Sequence, residues 1–487
     1  MYFLHKRRPK NERKEEISGN LDTDVKKVKE LFSYGLNSDL IMREIVADTN
    51  YVLFFFLSIV DSMKIENSII KPLIMSNRKG ELPSTITSLS VEVLSCFSEI
   101  ENKLNEGNVI LFEKEGKAYA INVSDFKHRV IEKPQNENVV KGPKEAFTES
   151  LLTNLSLIRK KIHDKDLIAE KVAVGSRSKL YVTLLYIKDV ASDQVLESLK
   201  KRIERIDTDN VRNIELLEQY IEDRPYSILP TILYTERPDR VASYIEDGYV
   251  ALLMENSSAS LILPVTFWSY FHSPEDRYLR LVFGNFSRLV RFFAVFITLF
   301  ISSIYVALTN FHFEMIPQDL LLAISSARER VPFPVPIEVL IMEFAFELIR
   351  EAGLRIPSPL GPTIGIVGAL ILGQAAVEAN IISPIIVIVA ALSGLSSFAV
   401  GDVSFNYTVR ITRFLFIFSS MLFGIFSLIG AFLLWVMYMT SVKSFGVPYL
   451  SPMTPHYKSG GDFLFRKAVF KEIWRPGNIR PKDIKKE

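Results

Sequence analysis

The chain has 487 residues, of which 48% are hydrophobic and 23% charged, and its formal net charge is +2. This length exceeds one ordinary domain and predicts two or three. The near-neutral charge argues against a nucleic-acid partner. Cys96 is the single cysteine, so the chain has no intramolecular disulfide and no cysteine-based metal site.

The N-terminal segment is basic and polar. We expect residues 1–24 to form a disordered basic tail, because they hold too few apolar residues to bury. No apolar stretch follows the basic residues, so the sequence does not predict a signal peptide. The N-terminus and the charged region after it are therefore expected on the cytosolic side of any membrane.

Residues 25–137 are predicted to form a first cytosolic subdomain. Its clearest signal is a β-hairpin, since Asn108–Glu113 and Ala118–Val123 carry alternating apolar residues around a glycine turn. Tyr51–Val60 is apolar but too short to cross a bilayer, and we interpret it as a buried strand or helix. A helical linker is predicted over residues 138–163.

Residues 164–288 are predicted to form a second cytosolic subdomain and the entry to a membrane. Strand-like and helix-like runs alternate along it, which indicates an α/β layer arrangement. The predicted strands and helices are Lys179–Ile187, Ser192–Ile206, Ile214–Ile221, Arg237–Tyr244, Tyr249–Met254 and Ser260–Leu263.

Long apolar runs begin near Phe292 and predict a membrane domain over residues 289–442. Phe292–Leu308 and Phe414–Val442 carry no charge and are long enough to cross a hydrocarbon core of about 30 Å. Leu360–Val377 and Ile381–Val400 are shorter candidates. We expect about four spanning helices, together with amphipathic or re-entrant helices such as Asp319–Arg330. A buried core helix is the alternative interpretation of each run.

Residues 443–487 form a basic tail, which the positive-inside rule places in the cytosol. Both termini on one side require an even number of crossings. That topology puts Arg410 and Arg413 on the outer side, against the rule. Either these arginines face a water-filled interior or the number of spans differs from four.

One predicted helix in the membrane domain is strongly amphipathic. In Ile337–Leu354, the side chains of Glu343, Glu347 and Arg350 share a face. A carboxylate that faced lipid would cost about 2.5–3.5 kcal/mol, so these groups must meet water or cations. Three interpretations remain open: an interfacial helix with a solvated acidic face, an acidic lining for a cation pathway, or an isolated salt-bridge network.

Small residues mark the segments that follow. Gly361, Gly365, Ala369 and Gly373 recur at every fourth position and predict a close helix–helix contact, although glycine is also simply frequent in membrane helices. In the next segment, Ser393 and Ser397 give one side of the predicted helix a polar character. They either face a pore or contact a neighbouring helix.

Catalytic signatures are missing from the sequence. It has no glycine-rich phosphate loop with a lysine, no paired histidines of the zinc-protease type and no nucleophile elbow. We therefore expect a protein that is not an enzyme and that needs no cofactor. In fold class it is expected to be α+β: an N-terminal cytosolic α/β region of two subdomains, then a C-terminal all-α polytopic membrane domain.

Several short motifs, in order, resemble the A subunits of the GerA family of spore-germination proteins. They span roughly residues 35 to 480 and are Gly142-Pro143-x-Glu145, Asn154, Leu157-Ile158-Arg159, Ile162, Leu263–Thr266, Ser273–Asp276, Arg350–Pro357, Gly365–Gly368, Gly373–Val377, Ser383-Pro384 and Val387–Val389. This resemblance implies a multi-pass protein of the inner spore membrane. Its partners would be the lipid bilayer, a transporter-like B subunit and a lipoprotein C subunit.

The resemblance also implies a homo-oligomer that acts as a ligand-gated ion conduit. We expect Glu343, Glu347, Arg350, Ser393 and Ser397 to line it, from their facing and polarity alone. Phe398–Ser404 departs from the family pattern, which leaves room for the paralogue stage V sporulation protein AF, with a different membrane partner. A non-conducting scaffold is the alternative function; a substrate transporter would require an internal repeat that the sequence lacks.

Overall fold

The protein consists of two α/β units, a helical part and a C-terminal segment that returns to the second unit. The computed structural model describes residues 15–47, 49–75, 86–87, 90–114, 116–126, 134, 137, 139–355, 371, 373–457, 459 and 464–486. The predicted α+β class is confirmed, with the sheets in the N-terminal half and the long helices after residue 280.

The first α/β unit is built around an antiparallel five-stranded sheet in the order β1-β2-β4-β5-β3. An irregular helical segment, residues 62–75, covers one face of the sheet, and helices α1 and α2 cover the other. Its elements are α1 (Leu21–Leu31), β1 (Leu40–Val46), β2 (Asn50–Phe56), β3 (Val91–Leu94), α2 (Phe97–Asn105), β4 (Asn108–Glu113) and β5 (Ala118–Asn122).

Burial on both faces explains the apolar sequence of β2. Val52 and Phe54 pack towards α1 and α2, whereas Leu53 and Phe55 pack towards the irregular helical segment, because successive side chains of a strand point to opposite faces. The predicted buried segment Tyr51–Val60 is thus a strand of this sheet up to Phe56, and a 3-10 turn, Leu57–Ile59, follows. The predicted hairpin is confirmed as β4 and β5, which pair over their length.

The second α/β unit has a five-stranded sheet in the order β6-β7-β9-β10-β8. Helices α4 and α5 pack on one face, and α3 and α6 pack on the other, as the predicted α/β layers require. Its elements are α3 (Leu151–Arg159), β6 (Leu167–Val174), β7 (Leu180–Ile187), α4 (Asp193–Glu204), α5 (Ile214–Ile221), β8 (Leu233–Thr235), α6 (Pro238–Glu246), β9 (Val250–Met254) and β10 (Ser260–Leu263).

A buried ion pair joins the two units. The guanidinium of Arg159 contacts the carboxylate of Asp39 and lies 3.7 Å from the ring centroid of Phe56. Beside it, the backbone N–H of Ser38 donates to the carbonyl of Ala169 at 2.9 Å. Since both charged side chains are almost fully buried, the pair fixes the relative position of the units.

Two predicted boundaries of the soluble region were wrong. The predicted disordered tail, residues 1–24, extends into ordered structure: Asn20 caps α1, which begins at Leu21, while residues 1–14 lie outside the described residues. The predicted helical linker, residues 138–163, is helical only over α3. Its first part is held instead by contacts such as the bond from Arg237 Nη2 to the carbonyl of Pro143, 2.8 Å long.

The helical part contains six long helices among the described residues. They are α7 (Leu281–Phe311), α8 (Gln318–Arg328), α9 (Val335–Arg355), α10 (Pro384–Phe398), α11 (Val403–Phe423) and α12 (Ile425–Ser441). By length and composition, α7 is the one described helix that could cross a membrane on its own, and α10 and α12 are shorter apolar helices. The predicted amphipathic helix Ile337–Leu354 lies within α9.

Of these helices, α7 and α11 run away from the soluble units, whereas α9, α10 and α12 run towards them. α7 starts beside the second unit, where Arg288 bonds Asp276, and its far end packs against the start of α9. α9 returns towards the second unit, and the chain is again at the far end by Ser383, whose N–H donates to Glu338 at 2.9 Å. From there α10 runs back to the soluble units, and α11 leads away from them to the turn at Gly424.

The apolar run Phe414–Val442 is not the single spanning helix that the sequence predicts. The chain turns back at Gly424, between α11 and α12. Ser419 and Ser427 lie on the two sides of this turn, and the hydroxyl of each contacts the carbonyl of the other. Gly424 has a φ of +62°, and a Cβ there would come within 2.8 Å of Phe311 Cβ, so glycine permits the turn.

The C-terminal segment packs on the second α/β unit. The indole of Trp268 donates to the carbonyl of Leu450 at 3.3 Å, the side chain of Ile479 is buried, and Lys482 pairs with Asp193 at 2.7 Å. The segment after α12 is therefore on the same side of the helical part as the two α/β units.

Candidate functional site

Two carboxylates lie one helical turn apart on α9, deep in the helical part. Glu343 and Glu347 share a face because residues four positions apart on a helix are neighbours. Glu343 is fully buried, and the side chain of Glu347 is 17% exposed. Their position inside an apolar bundle requires compensating charges, since an unpaired buried carboxylate is costly.

Arg413 of α11 supplies that compensation. Its Nη1 lies 2.8 Å from Glu343 Oε2, and its Nη2 lies 2.7 Å from Glu347 Oε1. Nη1 also donates to the hydroxyl of Ser393 on α10, at 2.9 Å. The guanidinium therefore bridges three helices, and the hydroxyl of Ser302 on α7 adds a fourth through its bond to Glu343.

A second arginine of α11 completes the coordination of Glu347. Arg410 contacts both carboxylate oxygens of Glu347, with its Nε 3.1 Å from Oε1. Arg410 and Arg413 are three residues apart, so they project from adjacent positions on one side of α11. Glu347 is thus held by two guanidinium groups.

Arg350 extends the network towards the soluble units. Its Nη2 donates to the hydroxyl of Ser397 and, at 3.3 Å, to the carbonyl of Gly394, and its guanidinium lies 4.5 Å from the ring centroid of Phe398. Within the described part of the chain, no carboxylate forms an ion pair with Arg350. We call the set Glu343, Glu347, Arg350, Ser393, Ser397, Arg410 and Arg413 the charge network.

A cavity of about 410 Å³ lies between the charge network and the second α/β unit. Arg350 and Arg410 line it from α9 and α11, Arg291 lines it from the start of α7, and Arg237 and Arg240 line it from the second unit. At the same level, Asp402 precedes α11 and caps it by accepting from the N–H of Phe405 at 2.9 Å. Burial raises the pKa of Asp402 to about 6, although the nearby Arg240 guanidinium opposes the shift.

The comparison with known sequences identifies the family. The profile of the family described as "Bacillus/Clostridium GerA spore germination protein" matches residues 26–478. The chain belongs to the GerA family. The family resemblance predicted from the sequence is thereby confirmed.

Individual relatives of this GerA-family chain align over nearly its whole length. Spore germination protein A1 of Bacillus subtilis (strain 168) is 37% identical, over 97% of this chain and 96% of the relative. Spore germination protein KA of the same organism is 35% identical, over 97% of this chain and 88% of the relative. GerLA of Bacillus cereus is 34% identical, over 96% and 97% respectively.

Among solved structures, the N-terminal domain of the A subunit of the Bacillus megaterium spore germinant receptor GerK3 is 26% identical. The match covers 52% of this chain and 97% of that domain, with a TM-score of 0.41.

The structure brings together all five residues that the sequence singles out as candidate pore lining. Glu343, Glu347 and Arg350 lie on α9, and Ser393 and Ser397 lie opposite them on α10. Sequence reasoning missed that Arg410 and Arg413 are the partners of the carboxylates. Two arginines three positions apart in an otherwise apolar helix were the available signal.

The predicted helix-packing stripe is described only in part. Gly361, Gly365 and Ala369 lie outside the described residues, whereas a Cβ at Gly373 would lie 3.4 Å from Val387 Cγ1 of α10, an ordinary contact. In the part of the chain that the structure describes, no group of three or more His, Cys, Asp or Glu side chains is placed to hold a metal ion.

Proposed function

We propose that this GerA-family chain is the membrane subunit of a nutrient-triggered germinant receptor in the inner spore membrane, and that copies of it form a conduit that releases monovalent cations. The observation that carries the proposal is the charge network, which lies between α9, α10 and α11, with Glu343 and Arg413 fully buried. Its lining residues would be Glu343, Glu347, Arg350, Ser393 and Ser397.

The charge network lies among the helices that this proposal places in the membrane. Ionised side chains within a membrane domain cost several kcal/mol each unless they are paired or meet water, and they commonly mark ion pathways. Here two carboxylates and three guanidinium groups gather in one place. If these residues served only the stability of the helical bundle, apolar side chains of similar volume could replace them without loss of stability.

The described arrangement corresponds to a closed conduit in this proposal. Arg413 occupies the space between Glu343 and Glu347, so neither carboxylate is free to attract a cation. Opening would require Arg413 to leave at least one of them. The cavity of about 410 Å³ beside Arg350 and Arg410 would then serve as the mouth on the side of the α/β units.

Cysteine modification in liposomes tests the lining. The native Cys96 is buried and would be replaced by Ala, after which Ser397→Cys places a thiol beside Arg350. Potassium efflux from liposomes should fall when a positively charged thiol reagent modifies this cysteine. Ser420→Cys is the matched control, since Ser420 is also buried on α11 but lies outside the charge network, and its efflux should not change. Equal inhibition of both variants, or of neither, would reject the assigned lining.

The partners are part of the same proposal. A transporter-like B subunit would receive the nutrient signal and a lipoprotein C subunit would complete the receptor, with both termini of this chain in the cytosol. A paralogue of the stage V sporulation protein AF type would instead work with another membrane protein and amplify ion release. Purification of the chain with its membrane partners, followed by mass spectrometry, distinguishes these assemblies.

One observation favours a second function, that of a non-conducting scaffold. Both carboxylates of the charge network are fully paired within one chain, as a structural salt-bridge network would be. A scaffold would transmit the signal through α9 and α11 without passing ions. Liposomes that contain the folded, oligomeric chain and show no cation efflux under any activating condition would support it.

A further inference from the structure

An exposed patch of aromatic and basic residues lies near the end of the chain. Over residues 465–474, five apolar side chains are between 46% and 74% exposed. They are Phe465, Val469, Phe470, Ile473 and Trp474. Lys467 and Lys471 lie between them and are also exposed. Contiguous apolar exposure of this kind usually marks a binding surface.

The patch is fixed to the first turns of α7. The N–H of Arg466 donates to Asn285 Oδ1 at 2.9 Å, and its Nη2 donates to the carbonyl of Leu279 at 2.8 Å. In return, Asn285 Nδ2 donates to the carbonyl of Arg466 at 3.3 Å. The patch therefore sits at the level of residues 279–285 along the axis of α7.

The length of α7 places that level at the surface of a bilayer. Its 31 residues extend about 46 Å at 1.5 Å per residue, whereas a hydrocarbon core is about 30 Å thick. The uncharged part of α7 begins at Phe292, so the first turns of the helix fall in the headgroup layer. Val282, Phe283 and Phe286 on these turns are exposed as well and continue the patch towards the core.

We propose that residues 465–474 dock onto the surface of an anionic lipid bilayer, on the side of the membrane that holds the α/β units. This inference rests on the membrane location of the proposed function, and goes beyond it by assigning a second, peripheral contact. Aromatic rings are favourable at the headgroup level, and lysines beside them are attracted to anionic headgroups. A protein partner fits less well, because lysine is depleted at the centre of protein interfaces.

Tryptophan fluorescence tests the docking in nanodiscs that hold the full-length chain. The chain has three tryptophans, and Trp268 is buried in the second unit. A Trp435→Phe background, compared with Trp435→Phe/Trp474→Phe, isolates the emission of Trp474. With phosphatidylglycerol present, a lipid spin-labelled near the glycerol backbone should quench that emission. Recovery of the chain in the nanodisc fraction is measured first, so failure to insert counts against the proposed function rather than against the docking.

The lysines supply a quantitative control. Lys467→Gln/Lys471→Gln should lower the ratio of docked to undocked segment by about fivefold for each lysine, the effect of one basic residue near an anionic surface. Lys26→Gln/Lys71→Gln, at two exposed positions of the first unit, should leave the quenching unchanged. Water-exposed, unquenched Trp474 emission would overturn the proposal. So would emission that is shielded from water but not quenched by the lipid, which would mean that a protein covers the patch.

Discussion

Removal of the Arg413 side-chain charge should destabilise the helical part strongly. In the variant Arg413→Met, the apolar stem is kept and the guanidinium is lost. Glu343, which is fully buried, then has no cation within ion-pair distance among the described residues, while Glu347 keeps Arg410. A buried pair broken on one side typically costs about 3–5 kcal/mol, and we expect a loss of that size.

The assay is unfolding of the full-length chain in mixed micelles by titration with sodium dodecyl sulfate, followed by circular dichroism. The double variant Glu343→Gln/Arg413→Met removes both charges and should recover most of the loss, because an apolar or neutral replacement of both partners is close to neutral. If Arg413→Met lowered the free energy of unfolding by less than about 1 kcal/mol, the range of an exposed ion pair, the reasoning would be refuted. Equal costs for the single and double variants would do the same.

Three further predictions concern other parts of the chain. Gly424→Ala should destabilise the α11–α12 turn by about 1–3 kcal/mol, because of the positive φ and the contact with Phe311; Gly430→Ala, where a Cβ meets nothing within 4 Å, should be neutral in the same titration. Arg159→Leu should leave Asp39 as an unpaired buried carboxylate, and limited proteolysis should then cleave between the two α/β units much faster than in the wild type. Burial raises the pKa of Glu222 to about 7, so the folded protein keeps a proton that the unfolded chain releases near pH 4.5. The stability that this proton contributes should be complete below pH 4.5 and be lost as the pH rises towards 7; in Glu222→Gln, chemical unfolding should show a flatter pH dependence across that window.

Sequence periodicity was enough to predict elements in which apolar and polar residues alternate clearly between two faces. The β4–β5 hairpin follows from alternation, and α5 was predicted with its observed bounds, Ile214–Ile221. Strand β1 was missed because its exposed residues, such as Arg43 and Glu44, break the alternation. Its position is set instead by pairing with β2 along its whole length, and a local sequence pattern cannot predict that pairing.

The predicted membrane segments show a different limit. Hydropathy measures composition, and Phe414–Val442 is apolar on both sides of Gly424, so the run looks like one helix. The reversal depends on the φ of Gly424 and on the packing of Phe311 against it, and that packing is not local in sequence. Packing against α7 from a distant part of the chain decides where the helix ends.

The candidate site divides in the same way. Helical periodicity placed Glu343, Glu347 and Arg350 on one face of α9, which the structure bears out. The pairing of Glu343 and Glu347 with Arg410 and Arg413 joins positions more than sixty residues apart, so spacing could not reveal it. The conflict of these arginines with the positive-inside rule was a physical sign that they needed partners inside the bundle.

Potassium efflux from liposomes that contain the purified chain with its membrane partners, measured under activating conditions, tests the central claim most directly. The account predicts a cation-selective efflux for the wild type, and a changed efflux for Glu347→Gln, in which the carboxylate held by Arg410 and Arg413 loses its charge. Folded, membrane-inserted protein that passes no cation, or an efflux identical in both proteins, would contradict the account.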